Sequence, residues 1–165
     1  MITLDAYWMG RDKMYPQVWT GQVQRSGAET VGRSNMLLAA YFQGTGRILD
    51  RVSSGWRPKV VNDATSNAGK TSNHITAEAI DVTDHDRAFA AWCVLNPKKL
   101  EECGLWMEDP RWCAKFDEKT GATYYWVHLQ TVPPNSGKRI YRPSMAAPLA
   151  PALPGQKPLP FQPKI

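Results

Sequence analysis

At 165 residues, with 42% hydrophobic and 21% charged side chains, the chain has the composition of one globular domain able to bury a core without disulfide staples. Its net charge of +5 favours anionic partners, yet the lysines and arginines are scattered and form no basic stripe, which argues against a nucleic-acid binder. No run is apolar enough for membrane insertion, and no basic start with an apolar stretch marks a secretory signal, so synthesis in the cytoplasm is expected.

In chain order, Ser26 and Glu29 form a capping-box pattern, and Val31, Asn35, Leu38 and Phe42 follow at helical spacing until Gly44-Thr45-Gly46. The spacing predicts a scaffold helix over about 27–43. Residues 48–54 read as a strand entering the Gly55-Trp56-Arg57-Pro58 turn. Residues 59–73, rich in Asn, Ser, Thr and Gly, read as loop with a short helix at most, and Ala77 to Val82 as a strand. Asp84 is placed to cap a helix whose apolar face is Phe89, Trp92, Cys93 and Leu100, with a break at Pro97 and an end at Gly104. Residues 105–108 form a second expected strand, 109–121 a polar loop, and Thr123 to Gln130 a third strand.

From Pro143 onward seven of 23 residues are proline, so 143–165 reads as an extended, disordered tail behind a single domain over 1–142. Cys93, Cys103 and Cys113 are odd in number and lack metal-site spacing; reduced, buried thiols are expected. The seven tryptophans are expected mainly to fill the core.

Two of the three histidines stand in ligand-like contexts. His74 precedes Asp81 by seven positions, and His128 lies in Trp126-Val127-His128. Strand alternation puts Ala77, Ala79 and Asp81 on one face, the two alanines leaving room beside the carboxylate. Trp106 and Glu108 share a face of the second strand, and Trp126, His128 and Gln130 a face of the third. If these strands are neighbours, Asp81, Glu108 and His128 converge, with His74 reaching in from the loop before. Two imidazoles and a carboxylate make a three-ligand set for one Zn2+ ion with a position left open for water or substrate. Glu108 is then the candidate catalytic base, with Asp117 and Glu118 as alternatives. Arg57 can hold a carboxylate or the charge of a tetrahedral intermediate. His85, in Asp84-His85-Asp86, reads as an exposed residue at a helix start.

The ordered set Ser72-x-His74-x-x-Ala77-x-Ala79-x-Asp81, preceded by Ser54-Gly55-Trp56-Arg57-Pro58 and followed by Trp126-Val127-His128, resembles the zinc D-alanyl-D-alanine carboxypeptidase family over residues 30–143. The resemblance implies an α+β fold of the hedgehog/DD-peptidase type, with a small antiparallel sheet carrying the zinc and helices on its other side. It implies metal ligation by His74, Asp81 and His128, substrate or oxyanion contact by Arg57, Ser72 beside the bound peptide, and Trp126 lining the site. The activity implied is a metallopeptidase, a hydrolase of peptidoglycan stem peptides, acting as a monomer on the cell wall after release, as a phage endolysin does, or as a virion component. A second reading keeps the zinc without catalysis, in a cell-wall-binding or virion structural module. Two positions depart from the family pattern: its glycine is Ala77, which a strand should tolerate, and an acid that several relatives carry three residues before the last histidine is Tyr125.

Overall fold

The structure is a computed structural model that describes residues 1–65, 68–143 and 150–156. The fold is mixed α/β: one face of a small open sheet packs into the core with the helices, and the other carries Asp81, Trp126, His128 and Gln130. Two short helices, α1 (Leu4–Trp8) and α2 (Arg11–Met14), precede the long α3 (Gly21–Thr45). Thr20, not Ser26, caps α3: its side chain accepts a hydrogen bond from Val23 N, and the helix then runs 25 residues to Gly46, whose left-handed φ of 71° ends it. Ser26 and Gly27 therefore lie inside the helix and face the core. A methyl at Gly27 would stand 2.1 Å from the Trp8 ring, so this glycine permits the close approach of α1.

The buried stripe of α3 is Gly27, Thr30, Val31, Ser34, Leu37, Leu38 and Tyr41. Phe42, expected on that stripe, is exposed, because the helix is turned so that Tyr41 meets Phe89 and Trp92 instead. Asn35 sits at the stripe's edge and closes both backbone bonds of Ile2, as acceptor from its N–H at 2.8 Å and donor to its carbonyl at 2.9 Å.

The strands are β1 (Val52–Ser54), β2 (Ala79–Thr83), β3 (Trp106–Glu108), β4 (Ala114–Asp117), β5 (Ala122–Gln130) and β6 (Ile140–Tyr141). Their order is β1-β2-β5-β3-β6, with β4 pairing β5 alone. The expected antiparallel sheet holds for every pair except β3 with β6, which run parallel. Ile80, Val82, Met107, Val127 and Leu129 form the core face, as period-two alternation requires. The expected loop 109–121 contains β4, and the hairpin it makes with β5 projects past the end of β2.

Three further helices fill the remaining connections: α4 (Lys59–Asp63), α5 (Ala88–Leu95) and α6 (Pro97–Glu102). Asp84 caps α5 as expected, its buried carboxylate accepting from Phe89 N at 3.2 Å and Ala90 N at 2.8 Å. The break falls at Asn96, one residue before Pro97. All three cysteines are free and buried. Trp8, Trp19 and Trp56 stack edge to face with centroids 6.0 Å apart, tying α1 to the turn at Gly55. Among the described residues no helix is long and apolar enough to cross a membrane.

Of the proline-rich segment, 144–149 and 157–165 lie outside the described residues. The part between them, 150–156, lies against the domain rather than apart from it: Ala150 N donates to Arg111 O at 3.0 Å, and Arg87 donates to Pro151 O at 2.9 Å.

Ala77 differs from its expected place in a strand. It lies before β2, wholly buried, with φ of 61°. Its N–H reaches His74 O at 3.3 Å and its carbonyl accepts from Thr30 Oγ1 at 2.9 Å, which fixes the turn. A left-handed residue favours glycine, by roughly 1–2 kcal/mol over other L-residues, while the buried methyl returns about 0.8 kcal/mol. Ala77→Gly is therefore expected within about 1 kcal/mol of the wild-type stability. Ala77→Val adds a branched side chain in a closed space and should cost roughly 2–5 kcal/mol, read from urea midpoints at constant m.

Candidate metal centre

The register of β2 against β5 sets Asp81 directly opposite His128. The Asp81 carboxylate bridges the two histidines: Oδ1 is 2.8 Å from His128 Nδ1 and Oδ2 is 3.3 Å from His74 Nε2. The imidazole centroids are 5.1 Å apart. Among the described residues this is the sole group of three potential ligand side chains whose donor atoms gather within 4.8 Å.

His74 is delivered by the turn that holds Ala77. Its Nδ1 lies 2.7 Å from Gly55 O, and a carbonyl only accepts, so Nδ1 carries the hydrogen and Nε2 presents its lone pair. That Nε2 is buried without a hydrogen-bond partner. Arg57 N donates to His74 O at 3.0 Å, so the turn and the ligand loop hold each other. Gly55 makes this possible, because a methyl there would lie 1.8 Å from Tyr7 O.

A metal ion fits this arrangement. In a tetrahedral zinc site with bonds of about 2.0–2.1 Å, neighbouring donors stand roughly 3.3 Å apart; the His74–Asp81 separation is 3.3 Å, and the shorter His128–Asp81 contact is a hydrogen bond that a cation would replace. The His74 lone pair, buried without a hydrogen-bond partner, is an independent feature that a cation would satisfy.

The electrostatics agree. Burial opposes charge on Asp81, but the two neighbouring imidazoles and the hydrogen bond with His128 outweigh it and hold the carboxyl well below the usual range. Burial drives His74 below its ordinary value, and the pull of Asp81 does not restore it. Burial also opposes charge on His128, but its hydrogen bond to Asp81, the charge of Asp81 and the charge of Glu108 raise it above the ordinary value.

His128 is therefore protonated further up the pH scale than a free histidine. In the metal-free protein its charge stabilises the fold fully below roughly pH 6.5, and that contribution fades as pH rises through the elevated folded value. A metal must expel this proton. Calorimetry in two buffers of different ionisation enthalpy is expected to show about one proton released per metal near neutral pH. Apparent affinity should fall about tenfold per pH unit below the His128 value.

Glu108 lies one residue past the last β3–β5 pair, Met107 with Leu129, and its charge acts on His128. Burial raises its carboxyl above the ordinary range; His128 opposes this, while Asp81 and Asp109 add to it. Asp117 and Glu118 do not join the site. Asp117 pairs with Ala122, six residues before His128 along β5, which is roughly 20 Å at ~3.3 Å per residue; Glu118 is exposed at the hairpin turn.

Arg57 is half-buried. Its Nη2 donates to Ser72 Oγ at 3.2 Å, its Nε is buried without a partner, and its charge acts on Asp81. Ser72 thus orients the guanidinium and caps His74 N at 3.4 Å. Trp126 shares the His128 face, opposite Thr83. Tyr125 points to the other face, where Arg87 stacks on its ring at 5.1 Å, so an acid there would face away from the ligands in this chain. His85 is exposed and apart from the group.

Sequence reasoning missed the network behind the ligands. Gln130 Oε1 accepts from Asn73 Nδ2 at 3.0 Å and from the Tyr141 hydroxyl at 2.5 Å. This joins the residue next to His74 to β5 and β6. Gln130 was legible as sharing the His128 face; Tyr141 was not, because β6 is two residues long and carries no periodicity. Comparison of the chain with protein-family models, with curated proteins and with solved structures found no match.

Proposed function

We propose that this chain is a zinc-dependent peptidase of the D-alanyl-D-alanine carboxypeptidase type, with the hedgehog/DD-peptidase fold, that hydrolyses an amide bond in bacterial peptidoglycan stem peptides. One observation carries the reading: His74, Asp81 and His128 converge from a loop and two strands with an unused lone pair on His74, and Glu108 and Arg57 flank them. The left-handed φ at Ala77 adds support, since it falls where the family has glycine. The donor set of two imidazoles and one carboxylate suits zinc.

A zinc ion held by His74, Asp81 and His128 supplies Lewis-acid activation of water and of the scissile carbonyl. Glu108, its carboxyl raised by burial, takes the proton of the attacking water and passes it to the leaving amine. Arg57, oriented by Ser72, holds the carboxylate or the charge that grows on the carbonyl oxygen. Trp126 forms an aromatic wall on the His128 side. The net charge of +5 suits an anionic polymer such as the bacterial wall.

A rival reading is a wall-binding or virion structural module that keeps the metal alone; Tyr125 does not decide between the two, because its side chain faces away from the ligands. Zinc-loaded protein incubated with cross-linked peptidoglycan separates the two. New muropeptides in the mass spectrum support the peptidase; an unchanged profile at full zinc occupancy, with the protein retained on the wall, favours the module.

A further inference from the structure

The returning segment 150–156 ends on the residue next to Glu108. Gln156 Nε2 donates to Asp109 Oδ1 at 2.9 Å, while its own Oε1 accepts from Leu153 N at 2.8 Å, so both ends of the amide are committed and its orientation is fixed. Leu153 packs against the core, and Gly155 lies so close to Leu95 that a methyl would come within 2.8 Å. Asp109 is a buried hub. It accepts from Arg111 N at 3.1 Å and Arg111 Nε at 2.9 Å, pairs with Arg111 Nη2, and donates its own N–H to Tyr141 O at 2.7 Å.

Glu108 needs such an anchor. It is the last residue of a three-residue strand, beyond the last β3–β5 pair, and its β6 neighbour is only two residues long. Strand ends with so few partners fray. A proton carrier displaced by about 1 Å can lose roughly 10²-fold in rate.

We propose that residues 150–156 act as a strap that positions Glu108, with Gln156 as the positioning residue acting through Asp109. The inference rests on the reading of Glu108 as the proton carrier. Gln156→Glu is the decisive variant, because it keeps the shape and the Leu153 contact but turns the donor facing Asp109 into a second carboxylate oxygen. In the 165-residue chain, Gln156→Glu should lower kcat roughly tenfold at unchanged KM, with Gln156→Ala intermediate. Amide exchange at Asp109, Arg111, Trp112 and Cys113 should quicken by about the same factor.

Wild-type turnover in Gln156→Glu, or unchanged exchange at those amides, overturns the strap. Should Gln156→Glu fail to fold, Gln156→Ala is judged by the same two readouts. If the wild-type protein cleaves nothing, the peptidase reading fails separately. Exchange and the 13C resonance of the Glu108 carboxyl then decide: movement of both in Gln156→Ala sustains the strap, and constancy of either removes it.

Discussion

Alanine at His74, Asp81 or His128 is expected to weaken zinc binding by roughly 10²–10⁴-fold each, since an apparent binding energy of about 10–16 kcal/mol is shared among three ligands. The three changes should differ in what they leave behind. His128→Ala strips Asp81 of its closest partner, so the carboxyl rises from its depressed value, with His74 alone left to oppose burial. His74→Ala opens a space at a side chain only 1% exposed and abandons the Gly55 carbonyl, so a loss of stability should accompany the loss of metal. Asp81→Ala removes the bridge and leaves two imidazoles facing each other. Metal content after dialysis, read beside the melting temperature, checks all three. His85→Ala is the control, exposed and outside the group, and should keep full metal content.

Glu108→Gln should retain the metal and lose turnover by about 10²–10⁴-fold, the usual cost of removing a positioned base. The sign of the pH dependence follows from burial. A raised carboxyl stays protonated to higher pH than an ordinary glutamate, so kcat/KM should fall on the acid side as pH drops through the Glu108 value. The amide has no such limb, and with zinc kept saturating against its weaker binding at low pH the residual rate of Glu108→Gln should be flat there. Asp117→Asn and Glu118→Gln, remote on the hairpin, should leave both the rate and the limb intact. A comparable loss in either would move the proton carrier away from Glu108.

The features legible in the sequence were those set by short-range rules. Gly46 stops α3, Asp84 caps α5, and alternation along β2 and β5 puts Asp81 and His128 on the face opposite Ile80 and Leu129. The start of α3 was misread because Ser26 and Glu29 fit a capping pattern that the nearer Thr20 already supplies. β4 was hidden because its hairpin is largely exposed, so Lys115, Phe116 and Asp117 show no buried alternation. Ala77 escaped because a left-handed alanine leaves no mark in composition. The Gln130 network and the Gln156 contact join residues far apart in sequence, and only tertiary structure brings them together.

The pairing of Asp81 with His128 also determines which genetic changes the centre can survive. Side chains alternate along β5, so deleting or inserting one residue within it turns His128 into the apolar core and sends Leu129 or Val127 toward Asp81. Substitutions at neighbouring positions alter the walls; a change of one in chain length inverts the site. Length variation in descendants of this sequence should therefore be confined to the β4–β5 turn near Gly121 and to the connections outside the paired stretch from Trp126 to Gln130.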